Sequence, residues 1–328
     1  MINVLELRPN PTSKSNGIVK YCDELGDLFL GDSEIYIIPV ENLPMKKGRL
    51  LRERYIGFTF DRKIKSKRVD VVHINGYAAF IVFQAFLSAV LHKKRIVYTA
   101  HWHPFQYLAH PERGRLFFNC LIRPMVKHFA DVVITLNNED TAFFSQFHHN
   151  VKKIPHWTNY LPKNNNSCDK DPKMILFVGR LLDDNKGIEH LFHLPEGKYN
   201  IHLVGAGEKE LRSDMVHHVN ISTEELEMLY SKASLLVVPS RYEAFSYATL
   251  EALYNNTPVL VSERVRIYDY LENVSGIGLF HYKKYDEFCS MVDQMIGTPV
   301  DVNTVASIFS KLRIKEKYKK MFFKTCNR

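Results

Sequence analysis

Short apolar runs rich in β-branched residues alternate with helix-length segments from the first residues of the chain onward. Ile2 to Leu7 reads as a strand, and Ile18 to Leu30 as a helix entered from a Ser/Asn/Gly loop. Ile35 to Val40 and Val69 to Ile74 are the next strands, and a strongly apolar helix follows from Tyr77. Arg95 to Ala100 and Val132 to Thr135 continue the series. Lys163 to Pro172 is polar and turn-rich, the composition of a linker. The alternation then restarts: Met174 to Val178, Asn200 to Val204, Leu235 to Val238 and Pro258 to Val261 read as strands, Asp286 to Ile296 and Val305 to Lys320 as helices. Strands separated by helix-length segments pair in parallel, so the expected class is α/β with two Rossmann-like sheets. The expected boundaries are 1–165 and 170–304 for the two domains, with a basic C-terminal helix over 305–328. In such sheets ligands bind at the carboxyl ends of the strands.

The richest segment follows Leu235 to Val238. Pro239 ends that strand, Ser246 is placed to cap a helix over Tyr247 to Tyr254, and Asn255-Asn256 offers a stop. Glu243 then falls on the loop and Glu251, eight positions on, inside the helix. Between them lies a helix N-terminus, whose N–H groups attract phosphate. A reader of sugar hydroxyls, a diphosphate cradle and a reader of ribose could share this one stretch.

Other candidates sit at strand ends. Gly179-Arg180 closes one strand, and Lys186-Gly187 precedes a helix. Two cations there would neutralise a diphosphate. Solvated surface cations are the plainer reading of either alone; the combination favours the binding role. Gly205-Ala206-Gly207 lacks the third glycine of a dinucleotide fingerprint, and a tight strand-to-helix connection explains it equally well. Gly17, after the first strand, leaves room for a backbone approach to phosphate or sugar. His101 follows the fourth strand and could hydrogen-bond a sugar hydroxyl or a developing charge. A metal is the rival reading of His101-Trp102-His103, but no carboxylate or thiol stands near in sequence. His148-His149 and His217-His218 read as surface residues.

Charge changes this picture more than composition does. The net charge is +8, yet 45–68 alone carries +8 and 311–328 carries +7, so the rest is acidic by 7. The first basic segment interleaves its charges with Leu50, Leu51, Tyr55, Ile56, Phe58 and Phe60, a pattern suited to an anionic membrane surface or to a solvated helical face. No nucleic-acid motif accompanies it. Five scattered cysteines without a C-x-x-C pair favour a reducing compartment. Glu6 and Arg8 interrupt any signal-peptide core, and the longest apolar stretch, 15 residues from Tyr77, is short for a membrane span. A soluble or peripheral cytoplasmic protein is expected. Neither a serine-nucleophile elbow, a Walker loop nor His-Glu-x-x-His is present.

Taken together these residues resemble the retaining GT-B glycosyltransferases of the large fourth family. Ser15-Asn16-Gly17-Ile18 is similar to that family's glycine loop, with Asn16 where a second glycine is common. Val97 to His101 is similar to its strand ending in a functional histidine, with Trp102 in place of a frequent aspartate. Ile154 to Asn159 is similar to the segment before the interdomain linker. Gly179-Arg180 with Lys186-Gly187 resembles the donor-phosphate pair, Val204 to Glu208 the next turn, and Glu243 to Glu251 the Glu-x7-Glu motif. Thr257 to Ser262 resembles the following strand, with Asn256 replacing a glycine.

The resemblance implies an N-terminal acceptor domain, a C-terminal donor domain and a last helix returning to the first. It implies Arg180 and Lys186 on the donor diphosphate, Glu243 on the sugar hydroxyls, and N–H groups of Phe245, Ser246, Tyr247 and Ala248 on phosphate. Glu251 would hold the ribose, His101 the sugar near its reacting carbon, and Gly17 would let the first loop approach. It implies no metal and no cofactor, a nucleotide-sugar donor (UDP ahead of GDP) and a saccharide acceptor. A lipid-linked acceptor for surface polysaccharide at the inner membrane face fits the basic, aromatic segment 45–68. The rival readings are a sugar-nucleotide epimerase or phosphorylase of the same fold, a non-catalytic partner subunit, and a basic nucleic-acid binder.

Overall fold

The computed structural model describes residues 1–7, 17–39, 61–65, 68–76, 80–101, 115–159 and 169–326. The chain forms two compact units, Met1–Trp157 with Lys311–Arg328, and Thr158–Ser310.

The first unit runs β1 (Ile2–Leu7), α1 (Gly17–Leu28), β2 (Ile35–Pro39), β3 (Val71–Asn75), α2 (Phe80–Leu91) and β4 (Arg95–Thr99). A π-helical turn, Phe118–Ile122, leads into α3 (Arg123–Phe129), then β5 (Val132–Thr135), α4 (Asn138–Ser145) and β6 (Val151–Lys153). Its sheet is fully parallel in the order β2-β1-β3-β4-β5-β6. Alternate residues supply two separate cores, as the two-residue period of a strand requires. Leu5, Leu7, Val72, Ile74, Ile96 and Tyr98 pack on one face. Val4, Val71, Val97 and Ile134 pack on the other, with Tyr21 and Leu25 of α1.

The second unit contains β7 (Met174–Val178), a 3-10 turn (Ile188–His193), β8 (Asn200–Val204), β9 (Met215–His218) and α5 (Thr223–Lys232). Then come β10 (Leu235–Val238), α6 (Tyr247–Tyr254), β11 (Val259–Ser262), a 3-10 turn (Arg266–Tyr270), β12 (Ile277–Phe280), α7 (Tyr285–Met295) and α8 (Val302–Ile308). This sheet is again parallel, in the order β12-β11-β10-β7-β8-β9. β10 and β11 are buried throughout, which is why they read as continuous apolar runs. The last helix, α9 (Lys311–Cys326), belongs to the first unit.

Three expectations change. The helix expected over 305–320 is two helices: Val305 and Phe309 pack in the second unit's core, while Ile314, Tyr318 and Phe322 pack in the first. The break lies between the cap of α8 at Phe309 and the start of the last helix at Lys311. Nor does the turn Gly205-Ala206-Gly207 lead to a helix; β8 passes directly to its neighbour β9. The short edge strands β6 and β9 escape the pattern because their sequences, Val-Lys-Lys and Met-Val-His-His, carry charge or imidazole instead of apolar alternation.

The basic segment 45–68 falls mostly outside the described residues. Of its described residues, 61–65 and 68, the first five form one helical turn whose Asp61 meets Lys65 at 2.8 Å and accepts from Ser88 at 2.7 Å. The loop Ser13 to Asn16, Trp102 and His103, and linker residues 163–168 also lie outside. Among the described residues no helix is long and apolar enough to cross a membrane, and no group of three His, Cys, Asp or Glu side chains is placed to hold a metal.

Candidate functional site

Backbone contact between strand ends builds the site in the second unit. Gly187 adopts φ +67°, and a Cβ there would stand 1.9 Å from the carbonyl oxygen of Pro239. Only glycine allows the loop after β7 to touch the loop after β10 this closely. His190, fully buried, fixes the same turn: its Nδ1 donates to the Gly187 carbonyl at 2.9 Å, and its Nε2 accepts from the Lys283 amide at 3.1 Å. Gly205, at φ +149°, is required in the same way, since a Cβ would meet the Gly179 carbonyl at 2.0 Å. Asn185 ties the loops together, donating from Nδ2 to the Tyr242 carbonyl at 2.8 Å while its own carbonyl accepts from the Arg241 amide at 2.7 Å.

This contact brings Lys186 and Glu243 together across 57 positions of sequence, with Lys186 Nζ 2.7 Å from Glu243 Oε1. Ser240 Oγ donates to the same oxygen at 2.6 Å, and Ser262 Oγ holds the Ser240 carbonyl at 2.6 Å. The backbone of Glu243 is clamped as well: its amide donates to the Arg264 carbonyl at 3.1 Å, and its carbonyl accepts from the Arg266 amide at 2.9 Å. Lys186 is a quarter exposed and Glu243 less. One of the three ammonium donors is used on Glu243, so two remain for a ligand. The aliphatic stem of Lys186 lies over Gly179, 3.2 Å from where a Cβ would be.

Arg180 has a different partner. Its side chain is 66% exposed and bound to Asp183. Ser246 caps α6, accepting from the Thr249 amide at 3.4 Å. Phe245 rests edge-on against Phe309 and Tyr247, and Ala248 packs into the same core, so both turn their side chains inward. Glu251 is 8% exposed within α6 and accepts from Tyr230 OH at 3.1 Å.

In the first unit His101 belongs to a buried polar cluster that sequence reading missed. The face holding Val4, Val71 and Val97 continues, by the two-residue period, to Glu6, to His73 and Asn75, and to Thr99 at the carboxyl ends of β1, β3 and β4. All four are fully buried. That register in three adjacent strands was the available signal. Asn75 Nδ2 donates to Glu6 Oε1 at 3.3 Å. Its carbonyl oxygen therefore faces His101 Nε2 at 3.0 Å, so Nε2 carries the proton and Nδ1 is the acceptor. No partner of His101 Nδ1 is found among the described residues. His73 Nε2 lies 2.7 Å from Thr99 Oγ1.

Burial, reinforced by His156 and His73, holds the His101 pKa well below the ordinary imidazole value. Burial also lowers His73 and His156 to about 3. His73 Nδ1 is 4.0 Å from Glu6 Oε1, but a neutral ring makes no ion pair. Tyr21 stacks on His156 at 4.5 Å and donates to or accepts from Tyr318 of α9 at 2.7 Å, which closes the cluster. Gly17 opens α1, and a Cβ there would meet nothing within 4 Å. Two histidines expected at the surface are structural. His148 is buried, with Nε2 donating to the Ala130 carbonyl at 2.9 Å, and His217 Nε2 donates to the Gly205 carbonyl at 2.8 Å.

Solved structures share this architecture. Sucrose-phosphate synthase from Thermosynechococcus elongatus superposes with TM-score 0.76 at 17% identity, covering 99% of each chain. HepE from Anabaena, solved in complex with UDP and glucose, superposes with TM-score 0.69 at 14% identity over 99% of this chain and 100% of that one. Two α/β units, each on a six-stranded parallel sheet, are the GT-B fold of glycosyltransferases. Residues 162–287 match the family described as Glycosyl transferases group 1, and residues 19–159 match Glycosyltransferase Family 4. The chain belongs to these group 1 glycosyltransferases of the GT-B fold.

Among curated relatives, an uncharacterised glycosyltransferase of Methanocaldococcus jannaschii is 34% identical over 39% of this chain and 36% of its own. A 41.2 kDa protein of the Klebsiella pneumoniae cps region is 23% identical over 61% of this chain and 62% of its own. The O-antigen chain mannosyltransferase RfbU of Salmonella typhimurium is 41% identical over 20% of this chain and 18% of its own. The matches thus span less than two thirds of each relative's length.

Proposed function

We propose that this glycosyltransferase moves a sugar, with retention and without a metal, from a nucleotide-diphosphate sugar to a saccharide acceptor. The observation that carries the reading is the Lys186–Glu243 pair, fixed by Ser240 at the ends of β7 and β10. Lys186 keeps two N–H donors for the diphosphate. Glu243 Oε1 is occupied by Lys186 and Ser240, and its second oxygen accepts from the donor sugar's hydroxyls. Glu243 is thus a positioning carboxylate and not a covalent nucleophile. Arg180 reaches the diphosphate by exchanging Asp183 for phosphate, an inexpensive step because an exposed ion pair is worth only about 0–1 kcal/mol. N–H groups from Phe245 through Ser246 and Tyr247 to Ala248 contact phosphate at the start of α6. Glu251 accepts from the ribose hydroxyls. His101, neutral with Nδ1 as acceptor, takes a sugar hydroxyl near the reacting carbon.

The chemistry follows charge. Breaking the anomeric C–O bond leaves the electron pair on the diphosphate and positive charge on the sugar. Lys186, Arg180 and the start of α6 oppose the first charge. The acceptor hydroxyl attacks from the leaving-group face, its oxygen bonds to the anomeric carbon, and its proton passes to the departing diphosphate. UDP is the favoured nucleotide ahead of GDP, in keeping with the UDP and glucose bound by HepE. A lipid-linked saccharide in surface polysaccharide assembly is the favoured acceptor, in keeping with the cps-region and O-antigen relatives. The enzyme would work peripherally at the cytoplasmic membrane face, its 45–68 segment against anionic lipid.

The test is release of nucleoside diphosphate by purified protein with and without acceptor. Release that needs the acceptor, and that Lys186→Ala abolishes while folding survives, supports transfer. Release without acceptor, or full activity in Lys186→Ala, refutes it.

A further inference from the structure

We propose that the first unit carries a site for an anionic lipid, in a cavity between α9 and the edge strand β6. The inference builds on the peripheral-membrane part of the proposed function and adds to the 45–68 contact a second, stronger one. The cavity measures about 330 Å³, within the range of small-molecule sites. Val132, Ile154 and Met321 give it an apolar floor. Thr325 also lines it, but the threonine hydroxyl is spent on the Met321 carbonyl at 2.8 Å. Asp131 contributes a carboxylate already engaged by Arg95 at 3.1 Å and the Ile96 amide at 2.8 Å.

Lys317, Lys320 and Lys324 stand at its rim, spaced three and four apart on one face of α9, and Lys152 faces them from β6. All four are exposed. The same helix shows what these lysines lack. Lys315 and Lys319 each sit 2.9 Å from Asp32, and Lys319 is 2.8 Å from Glu34. None of Lys152, Lys317, Lys320 and Lys324 pairs with a carboxylate among the described residues. Four uncompensated ammonium groups around an apolar hollow repel one another, and an anion would relieve that repulsion. The complementary ligand is an amphiphile with an acidic headgroup among the lysines and an alkyl chain in the hollow. A phospholipid such as phosphatidylglycerol has that chemistry.

Co-flotation of the full chain with vesicles tests this. The chain should bind phosphatidylcholine vesicles containing phosphatidylglycerol and not phosphatidylcholine alone. The exposed triple variant Lys317→Glu/Lys320→Glu/Lys324→Glu should lose at least about tenfold in vesicle affinity. A control, Lys46→Glu/Lys47→Glu/Arg49→Glu, reverses as many charges in the other basic segment and should lose clearly less. Equal losses in the two variants would overturn the site in favour of general charge attraction. Thr325→Leu fills the hollow and spares every lysine; it should weaken binding of soluble dihexanoyl phosphatidylglycerol, and unchanged binding overturns the cavity. Inorganic phosphate competing as well as the short-chain lipid would likewise reduce the site to a free-anion site and overturn the proposal. Affinity for UDP should be unaltered in the triple variant. The transferase reading fails separately, through absence of UDP binding by the unaltered chain.

Discussion

The Lys186–Glu243 site and the His101 cluster occupy the same place in their respective sheets, the carboxyl ends of parallel strands, and are electrically opposite. In the second unit a cation and an anion are held partly open to solvent, with donor capacity to spare. In the first, three imidazoles are buried deeply enough to be held neutral. A departing diphosphate calls for fixed charge. A hydroxyl to be oriented calls for a directional acceptor in a dry setting, and a full charge there would carry a heavy desolvation penalty. On the proposed reaction, the charged site would be the one where electrons arrive and the neutral one the place where geometry matters.

The comparison is broken most directly at its charged end. Lys186→Ala should lower transfer by roughly 10²–10³-fold, as loss of a preorganised charge donor does, with a melting temperature changed by a few degrees at most. Glu243 keeps Ser240 in that variant, so scanning calorimetry showing collapse of the second unit would mean the pair is structural.

Next comes the backbone contact that assembles the pair. Gly187→Ala puts a Cβ against the Pro239 carbonyl and should cost about 3 kcal/mol or more. Urea unfolding followed by circular dichroism should show it. Wild-type stability would mean the loop relaxes freely and the pair is not held by this turn.

Acid should weaken the first unit. Burial lowers the pKa of His73, His101 and His156 below the ordinary value of 6.5. The unfolded chain therefore binds more protons than the folded one once pH drops below 6.5, and stability falls from there toward about 3. It is fully present above that window. Both tryptophans, Trp102 and Trp157, lie in the first unit, so tryptophan emission follows this unit alone. A urea midpoint that stays flat between neutral and mildly acidic pH would show that water reaches these rings.

A smaller effect is expected at Asn75, which touches His101 and no proposed ligand. Asn75→Leu frees the His101 tautomer and should reduce kcat about tenfold while sparing KM for donor. ¹⁵N spectra of the ring should change from the Nε2–H form to a mixture. An unaltered ring signature would remove Asn75 from the positioning role. Smallest of all, Asp183→Asn releases Arg180 and should tighten nucleotide binding by no more than about threefold. Weaker binding in calorimetry would place Asp183 itself in the site.

Local chemistry wrote much of this molecule plainly. Buried parallel strands such as Leu235–Val238 must be apolar on both faces, so they show in the sequence. Ser246, α6, and the placement of Glu243 on a loop with Glu251 in a helix follow from capping rules that act over a few residues. Edge strands β6 and β9 stayed hidden because an edge tolerates polar residues, and the break near Phe309 stayed hidden because apolar spacing does not say which core a residue joins.

The amino-acid sequence by itself determined the class of fold and the placement of Glu243 on a loop and Glu251 in a capped helix, because strand burial and helix capping are short-range demands. Tertiary structure alone decided the partnerships: Lys186 with Glu243 across 57 positions, Asn75 with His101 across 26, Tyr21 with Tyr318 across 297. Those depend on which strand ends and helices the fold makes neighbours. It also decided the charge state of the imidazoles, pressing them into a place where a proton cannot be solvated.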